Sequence, residues 1–305
     1  MTEPRTNAMG TPSWGVLDDQ RTRTVGILGL GLIGGSMAKA YHNAGWRVLA
    51  FDLDADTMGA ARVETIDGVL DAATVGECDL ILLAVYPGAC IAWLRENAPL
   101  INERALVIDC AGVKREVCEA CLPVAAEHGF TFVGGHPMAG TQYSGFAHAR
   151  ADLFCGAPMV MVPPRTDDMA LFDAVACALE PAHFGSLQVS TAEEHDRRIA
   201  YTSQLAHVVS SAFVKSPTAQ GHQGFSAGSY RDLTRVARLN EGMWTELFFD
   251  DADNLLFELD HIIARLQEYR AALAAQDAPR MRELLAEGRR AKEAAEAALS
   301  QGGAR

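Results

Sequence analysis

Apolar and polar positions along the chain form two textures that meet near residue 190. From Thr24 onward, short apolar runs alternate with amphipathic stretches: TVGIL (24–28), WRVLAFD (46–52), DLILLAV (79–85), ALVIDC (105–110) and FTFVG (130–134). Runs this short and this apolar predict strands buried on both faces, in a parallel sheet covered by helices on either side. APMVMV (157–162) and SLQV (186–189) flank a helical stretch at 168–179 and predict two further strands.

After Ser190 nearly everything reads helical. Thr191-Ala192-Glu193-Glu194 has the form of a capping box, with Thr191 as N-cap and Glu194 reaching back to it. Within 248–273, Phe248, Ala252, Leu255, Leu259, Ile262, Leu266, Tyr269 and Leu273 fall four and three apart, one apolar face of a single helix, with Leu256 and Ile263 as a second flank. A small helical half with that much apolar surface predicts burial against a second copy of the chain, a homodimer. Residues 277–300, rich in Ala and Glu, predict a last, mostly solvated helix. The expected division is a mobile leader at 1–22, an α/β Rossmann-type domain at 23–189 and an all-helical domain at 190–305.

Composition adds constraints. The 305 residues are 49% hydrophobic and 21% charged, ordinary for a globular protein with a sizeable core. The formal net charge of −13 argues against nucleic acid or an anionic membrane as partner. An anionic substrate would have to be held by local arginines or helix N-termini. Seven scattered cysteines, no secretory pattern and no run near the ~20 apolar residues of a membrane helix predict a reduced, cytoplasmic protein. Cys118 and Cys121 form a lone CxxC without a second pair, so incidental cysteines are favoured over a metal or redox site.

The first chemistry is Gly29-Leu30-Gly31-Leu32-Ile33-Gly34, a GxGxxG that follows a predicted strand and opens a predicted helix. Gly29 permits the tight turn, Gly31 lets backbone approach a pyrophosphate, and Gly34 allows close helix–strand packing. Asp52 ends the second strand, 18 residues past Gly34. A carboxylate there accepts hydrogen bonds from a ribose hydroxyl pair and repels a 2′-phosphate, which favours NAD over NADP.

The segments GILGLGLIGGSMA, AVYP, IDCAGVKRE, GGHPMAGTQYSGF, EEHDRRIAYTSQLAH and YRDLTRVARLNEGMW occur in this order over about residues 24–275. Together they closely resemble prephenate dehydrogenases (also arogenate or cyclohexadienyl dehydrogenases) of tyrosine biosynthesis. The resemblance implies a Rossmann domain, a helical dimerisation domain and an active site in the cleft between them. It also implies NAD-dependent oxidative decarboxylation of prephenate to 4-hydroxyphenylpyruvate, or of arogenate to tyrosine, with Val85 of AVYP at the cofactor. His136 of GGHPMAG matches the residue that takes or polarises the substrate hydroxyl proton; local sequence alone reads it equally as a turn histidine ahead of a proline. Arg235 matches the arginine that grips a substrate carboxylate, with Asp232 and Trp244 beside it, although Trp244 reads equally as core. His207 matches a pocket-lining histidine, with Asp196 and Ser203 on the same polar stripe. Thr141 and Gln142 follow His136 toward the ring's other groups.

Departures from the family pattern limit the transfer. Gly112 stands where relatives often carry a serine that holds the catalytic histidine, so a water or Lys114 is expected to substitute. Gln204 and Ala206 replace a histidine and a proline. Gln142 replaces a glutamate, which weakens attraction for the ammonium of arogenate and favours prephenate. Two other readings stand beside the first. One is a related enzyme acting on another small acid, for which a lysine on the His207 helix before Lys215 is missing. The other is a protein that senses NAD and a tyrosine-like ligand without turnover.

Overall fold

The computed structural model describes residues 22–141, 143–222 and 224–302. The expected leader therefore lies almost wholly outside the described residues, as does Gln142. In the α/β part, β1 (Thr24–Leu28), α1 (Leu32–Asn43), β2 (Arg47–Phe51), α2 (Ala55–Glu64), β3 (Gly68–Val69) and β4 (Leu80–Leu83) are followed by α3 (Pro87–Asn97), β5 (Leu106–Asp109) and α4 (Arg115–His128). Then come β6 (Thr131–Pro137), β7 (Pro158–Val162), α5 (Met169–Leu179) and β8 (Ser186–Val189). The strands form one sheet in the order β3-β2-β1-β4-β5-β6-β7-β8. All neighbours pair in parallel except β6 and β7, which run antiparallel.

The central strands β1, β4 and β5 are buried at every position, since helices cover both faces. One face packs Ile27, Leu82 and Ile108 with Met37 and Tyr41 of α1 and Val175 of α5. The other packs Ile81, Leu83 and Val107 with Ile91 and Leu94 of α3 and Val117 of α4. The doubly wound sheet places the loops after β1, β4 and β5 together at its carboxyl edge, where ligands bind in such folds.

Two features of the sheet differ from the expectation. The two-residue β3 is too short to leave a periodic signal. The strand expected to stop at Gly134 continues through Pro137, so His136 sits in β6 opposite Val160, not in a following loop. Its glycines serve packing, because neither has positive φ. A Cβ on Gly134 would lie 2.6 Å from Cys118 Sγ, and one on Gly135 would collide with the Asp109 carbonyl oxygen.

The helical part begins with α6 (Ala192–Ile199), which runs through a π-helical turn (Ala200–Leu205) into α7 (Ala206–Phe213). Thr191 caps α6 by accepting the Glu194 N–H at 3.2 Å, while the Glu194 side chain pairs with Arg197 and Arg198 and does not complete the box. Next come α8 (Gly228–Thr234), α9 (Glu241–Asp250), α10 (Ala252–Ala274) and α11 (Ala278–Gly302). The single helix expected from 248 is broken at Asp251, a buried residue whose carboxylate is bound to Arg115 at 2.8 Å. By compactness the chain divides after Ala252. In the second unit the Tyr269 hydroxyl donates to the Leu284 carbonyl and Arg280 pairs with Glu268, and Leu256, Phe257, Ile263, Leu266 and Leu273 of α10 are exposed. No described helix is long and apolar enough to cross a membrane.

Candidate active site

The glycine turn has the shape a dinucleotide requires. Gly29 has φ +84°, and a Cβ there would lie 2.6 Å from both the Ala84 carbonyl oxygen and Val85 Cγ1. A Cβ on Gly34 would collide with the Gly29 carbonyl oxygen, so α1 can start this close to the turn only with glycine. At Gly31 a Cβ would meet nothing within 4 Å, and no side chain caps the start of α1. The turn Gly31–Ile33 thus presents open backbone and helix-start N–H groups with no side-chain cap, where a pyrophosphate gains most. Asp52 is fixed beside it: its Oδ2 accepts the Leu30 N–H at 2.7 Å and its Oδ1 accepts the Asp54 N–H at 2.9 Å. Each oxygen keeps a lone pair for a ribose hydroxyl.

At the far end of β6, His136 Nδ1 lies 2.8 Å from His195 Nε2, and His195 Nδ1 lies 2.6 Å from Asp196 Oδ1. His195 and Asp196 are both buried. Asp196 also accepts the Lys114 N–H (2.7 Å) and the Arg115 N–H (2.8 Å), so it caps α4, which has no side-chain cap of its own. Arg115 reaches on to Asp251. Burial alone would raise the Asp196 carboxyl, but hydrogen bonds from His195 and the Arg115 N–H carry it below the usual range. Burial pushes His136 well below its ordinary value, helped by His195 and the charge of Lys114. His195 is also lowered by burial, against the pull of Asp196. Both imidazoles are therefore neutral near pH 7.

Lys114 does not replace the missing hydroxyl at Gly112. Its ammonium is fully buried against Asp109, whose Oδ1 also accepts the Gly135 N–H at 3.0 Å. The space over Gly112 is taken by Leu247 of α9, whose Cδ2 would lie 3.3 Å from a Cβ there. His195 is what holds His136.

The loop after β6 leads to an open groove of about 960 Å³ lined by Tyr143, Tyr230, Arg231, Asp232, Arg235 and Arg238, among others. Arg235 caps the C-terminal end of α8, is exposed, and has no ion pair with Asp232 or Glu241. Three guanidinium groups against one carboxylate make the groove locally cationic on a chain of net charge −13. His207 lies beside this groove, and its Nδ1 donates to the Val236 carbonyl at 2.9 Å, which makes Nδ1 the protonated nitrogen. Burial lowers His207, and the nearby Arg235 charge lowers it further. The Trp244 ring packs on His207 at 4.0 Å and on Phe248 at 5.3 Å.

The sequence and the fold are similar to those of known dehydrogenases. Residues 37–184 match the family model for the prephenate dehydrogenase nucleotide-binding domain, and residues 191–287 match that for the prephenate dehydrogenase dimerization domain. A cyclohexadienyl dehydrogenase from Zymomonas mobilis is 30% identical over 281 residues, covering 88% of this chain and 94% of that protein. The chain belongs to the prephenate dehydrogenase family. A prephenate dehydrogenase from Bacillus subtilis is 29% identical, with 85% of this chain and 72% of that protein covered. Among solved structures, a putative prephenate dehydrogenase from Corynebacterium glutamicum has a TM-score of 0.76 at 29% identity, over 90% of this chain and 89% of that one. The arogenate dehydrogenase of Synechocystis has a TM-score of 0.70 at 26% identity, over 88% and 99%.

Within this family frame, Gly29 to Gly34, Asp52 and Val85 cluster at one site, and Arg235, Asp232, His207 and Trp244 cluster at another. Thr141 is exposed and closes a local turn with Tyr143, its hydroxyl 3.1 Å from the Tyr143 carbonyl. The expected stripe of Asp196, Ser203 and His207 does not form one face. The π turn between Asp196 and His207 shifts the helical register, and Asp196 turns to α4 while His207 turns to Val236 and Trp244. Sequence reasoning passed over His195. Its only signal was a histidine next to an aspartate in EEHD, a spacing at which helical side chains do not share a face.

Proposed function

We propose that the chain catalyses NAD-dependent oxidative decarboxylation of prephenate to 4-hydroxyphenylpyruvate, with His136 handling the substrate hydroxyl proton and Arg235 holding a carboxylate. The observation that carries this reading is the half-buried His136, whose Nδ1 is engaged by His195 and whose Nε2 has no partner among the described residues. A neutral imidazole of that kind accepts a proton from a hydroxyl placed against Nε2.

NAD supplies the hydride acceptor when bound, and the residues from Gly29 to Gly34 with Asp52 and Val85 fit it. His136 Nε2 takes the ring hydroxyl proton as the carbinol carbon acquires carbonyl character. Loss of carbon dioxide then returns the C–C electron pair to the ring, and His136 gives the proton back to the phenolic oxygen. Arg235, without an ion pair among the described residues and lining a cationic groove, anchors the carboxylate that stays, leaving the other free to depart. The apolar α10 face exposed on a single chain, within the family's dimerization domain, supports a homodimer. The missing charge at Gln142 favours prephenate over arogenate.

Purified protein with NAD and prephenate, followed by absorbance of the reduced cofactor, tests the assignment. His136→Ala is expected to lower kcat by about 10²–10⁴-fold with NAD affinity unchanged. Arg235→Ala is expected to raise KM for prephenate by about 10–100-fold, the worth of one hydrogen-bonded charge contact. Turnover of arogenate equal to or better than that of prephenate overturns the substrate preference. A wild-type protein that binds NAD and turns over neither compound overturns the enzyme reading.

A further inference from the structure

We propose that His195 is a second proton station that positions His136 and takes up the proton His136 receives, so that positive charge during turnover rests on His195 beside Asp196. This rests on the reading of His136 as the group that accepts the substrate proton.

The hydrogen-bond chain leaves one consistent arrangement of protons. Asp196 is ionised, and its oxygens already accept the Lys114 and Arg115 N–H groups, so it can only accept from His195 Nδ1. A neutral His195 protonated at Nδ1 has a bare Nε2. That nitrogen, 2.8 Å from His136 Nδ1, must accept from it, because two lone pairs do not hold each other at that distance. His136 is then protonated at Nδ1 and bare at Nε2, the tautomer that faces a hydroxyl as an acceptor.

When His136 Nε2 gains the hydroxyl proton, the Nδ1 proton can move the 2.8 Å to His195 Nε2. No proton is created or lost: one enters at His136 Nε2 and one passes to His195. The result is a neutral His136 that now donates from Nε2, and an imidazolium at His195 in direct contact with the Asp196 carboxylate at 2.6 Å. The reverse shift returns the proton when the phenolic oxygen forms. His136 has no carboxylate partner among the described residues; the Lys114 charge opposes a cation on either ring, but at His195 the Asp196 and Asp109 carboxylates act against it. The chain thus moves the charge one ring away, to the place where an anion is already fixed by two backbone amides.

The groups that face the relay are few. Asp196 lies on the same helix as His195. Lys114 and Arg115 lie at the start of α4, with Asp109 of β5 compensating Lys114 and Asp251 compensating Arg115. Burial lowers both histidines, and Asp250, raised to about 7 and within reach of the Asp196 charge, is a further group that titrates near the relay.

His195→Gln separates positioning from proton uptake, since a carboxamide can accept from His136 Nδ1 and donate to Asp196 but cannot hold a proton. His195→Ala removes both. The expected result in the NAD and prephenate assay is a kcat loss of about 10–100-fold for His195→Gln, with KM changed by less than about threefold. His195→Ala is expected to lose more. The solvent isotope effect in mixed H₂O and D₂O is expected to be curved for wild type, with two protons moving, and linear for His195→Gln. The acid limb of the kcat–pH profile is expected to move in His195→Gln, which a purely structural role would not cause.

Side-chain ¹⁵N spectra of the histidine-labelled protein with NAD at pH 7.5 read the tautomers without turnover. Both His136 and His195 are expected to carry the proton on Nδ1. Protonation at His136 Nε2, or a His195→Gln enzyme with wild-type kcat, pH profile and curved isotope response, overturns the relay. If wild type does not turn over prephenate, the functional reading falls, and the spectra alone still decide the tautomers.

Discussion

Asp196→Asn isolates what one buried carboxylate does for the fold. Its oxygens accept the Lys114 N–H at 2.7 Å, the Arg115 N–H at 2.8 Å and His195 Nδ1–H at 2.6 Å, with Arg115 Nε at 3.4 Å. In the better of its two orientations, an asparagine keeps an oxygen toward Lys114 and His195 and turns its NH₂ toward Arg115. A donor then faces the Arg115 N–H, which loses a charged hydrogen bond of about 1.5–3 kcal/mol and is left buried at a further cost of about 1–3 kcal/mol. These overlap, and about 3 kcal/mol in total is expected, a large part of the ~5–15 kcal/mol of an ordinary protein. Urea unfolding by tryptophan fluorescence at pH 7 and fixed protein concentration measures it. Because Asp196 is lowered in the folded state, its stabilisation is complete above its unfolded value near about 3.9 and lost as pH falls through the lower folded value. The gap between wild type and variant should therefore stay constant from neutral pH down to about pH 4 and close below it. A loss under about 1 kcal/mol at pH 7 would refute the reasoning, since it would mean that the α4 amides and His195 do not depend on this anion.

The glycine turn separates folding from binding: Gly31→Val, with open space around its Cβ, should leave thermal stability unchanged and weaken NAD binding in calorimetry at least tenfold, roughly the 1.4 kcal/mol of one obstructed phosphate contact. Gly34→Ala, which drives a methyl into the Gly29 carbonyl, should instead lower the melting temperature by several degrees, roughly the effect of 1–3 kcal/mol of overpacking; equal stability of the two variants would count against the packing role. Asp52→Ala should lower the NAD-to-NADP ratio of kcat/KM by about tenfold or more, the scale of one lost charge discrimination, and an unchanged ratio would remove Asp52 from the ribose site. Asp250 is raised to about 7 by burial and by Glu116. Since its folded value exceeds the unfolded one, it makes the fold less stable as pH rises from about 4 toward 7. Asp250→Asn should accordingly raise the urea midpoint at pH 8 and confer no gain at pH 4, and a gain independent of pH would rule out the titration.

The sheet was legible because its strands are buried on both faces and leave dense apolar runs between glycine and helix signals. The elements that sequence missed are those whose cause is not local. β3 has two residues. Nothing local explains Gly134 and Gly135; what demands them is Cys118 Sγ and the Asp109 carbonyl, neither a neighbour in sequence. Asp251 ends a helix whose apolar period runs straight through it, because Arg115, 136 residues earlier, needs its carboxylate. The π turn at Ala200–Leu205 leaves no mark in the spacing that placed Asp196 and His207 on one stripe.

The same nonlocality explains how the site tolerates glycine at 112. Three segments meet around His136: the end of β6, the start of α6, and the start of α4. Asp196 is shared by the last two, binding the Lys114 and Arg115 amides and His195 at once. The position of His195 is therefore set by the α4 backbone rather than by its own rotamer alone, and through it the position of His136. The family resemblance implies that a hydroxyl at 112 holds the histidine directly; here the start of α4 acts through Asp196 and His195, and the room above Gly112 goes to Leu247. Restoring the serine should consequently bring little: Gly112→Ser must shift the Leu247 side chain by a few tenths of an ångström. If His195 already holds His136, kcat should change by less than about threefold in Gly112→Ser and should recover by at least about tenfold when that serine is added to His195→Ala. Additive effects in this double-mutant cycle would mean that positions 112 and 195 do not serve the same histidine.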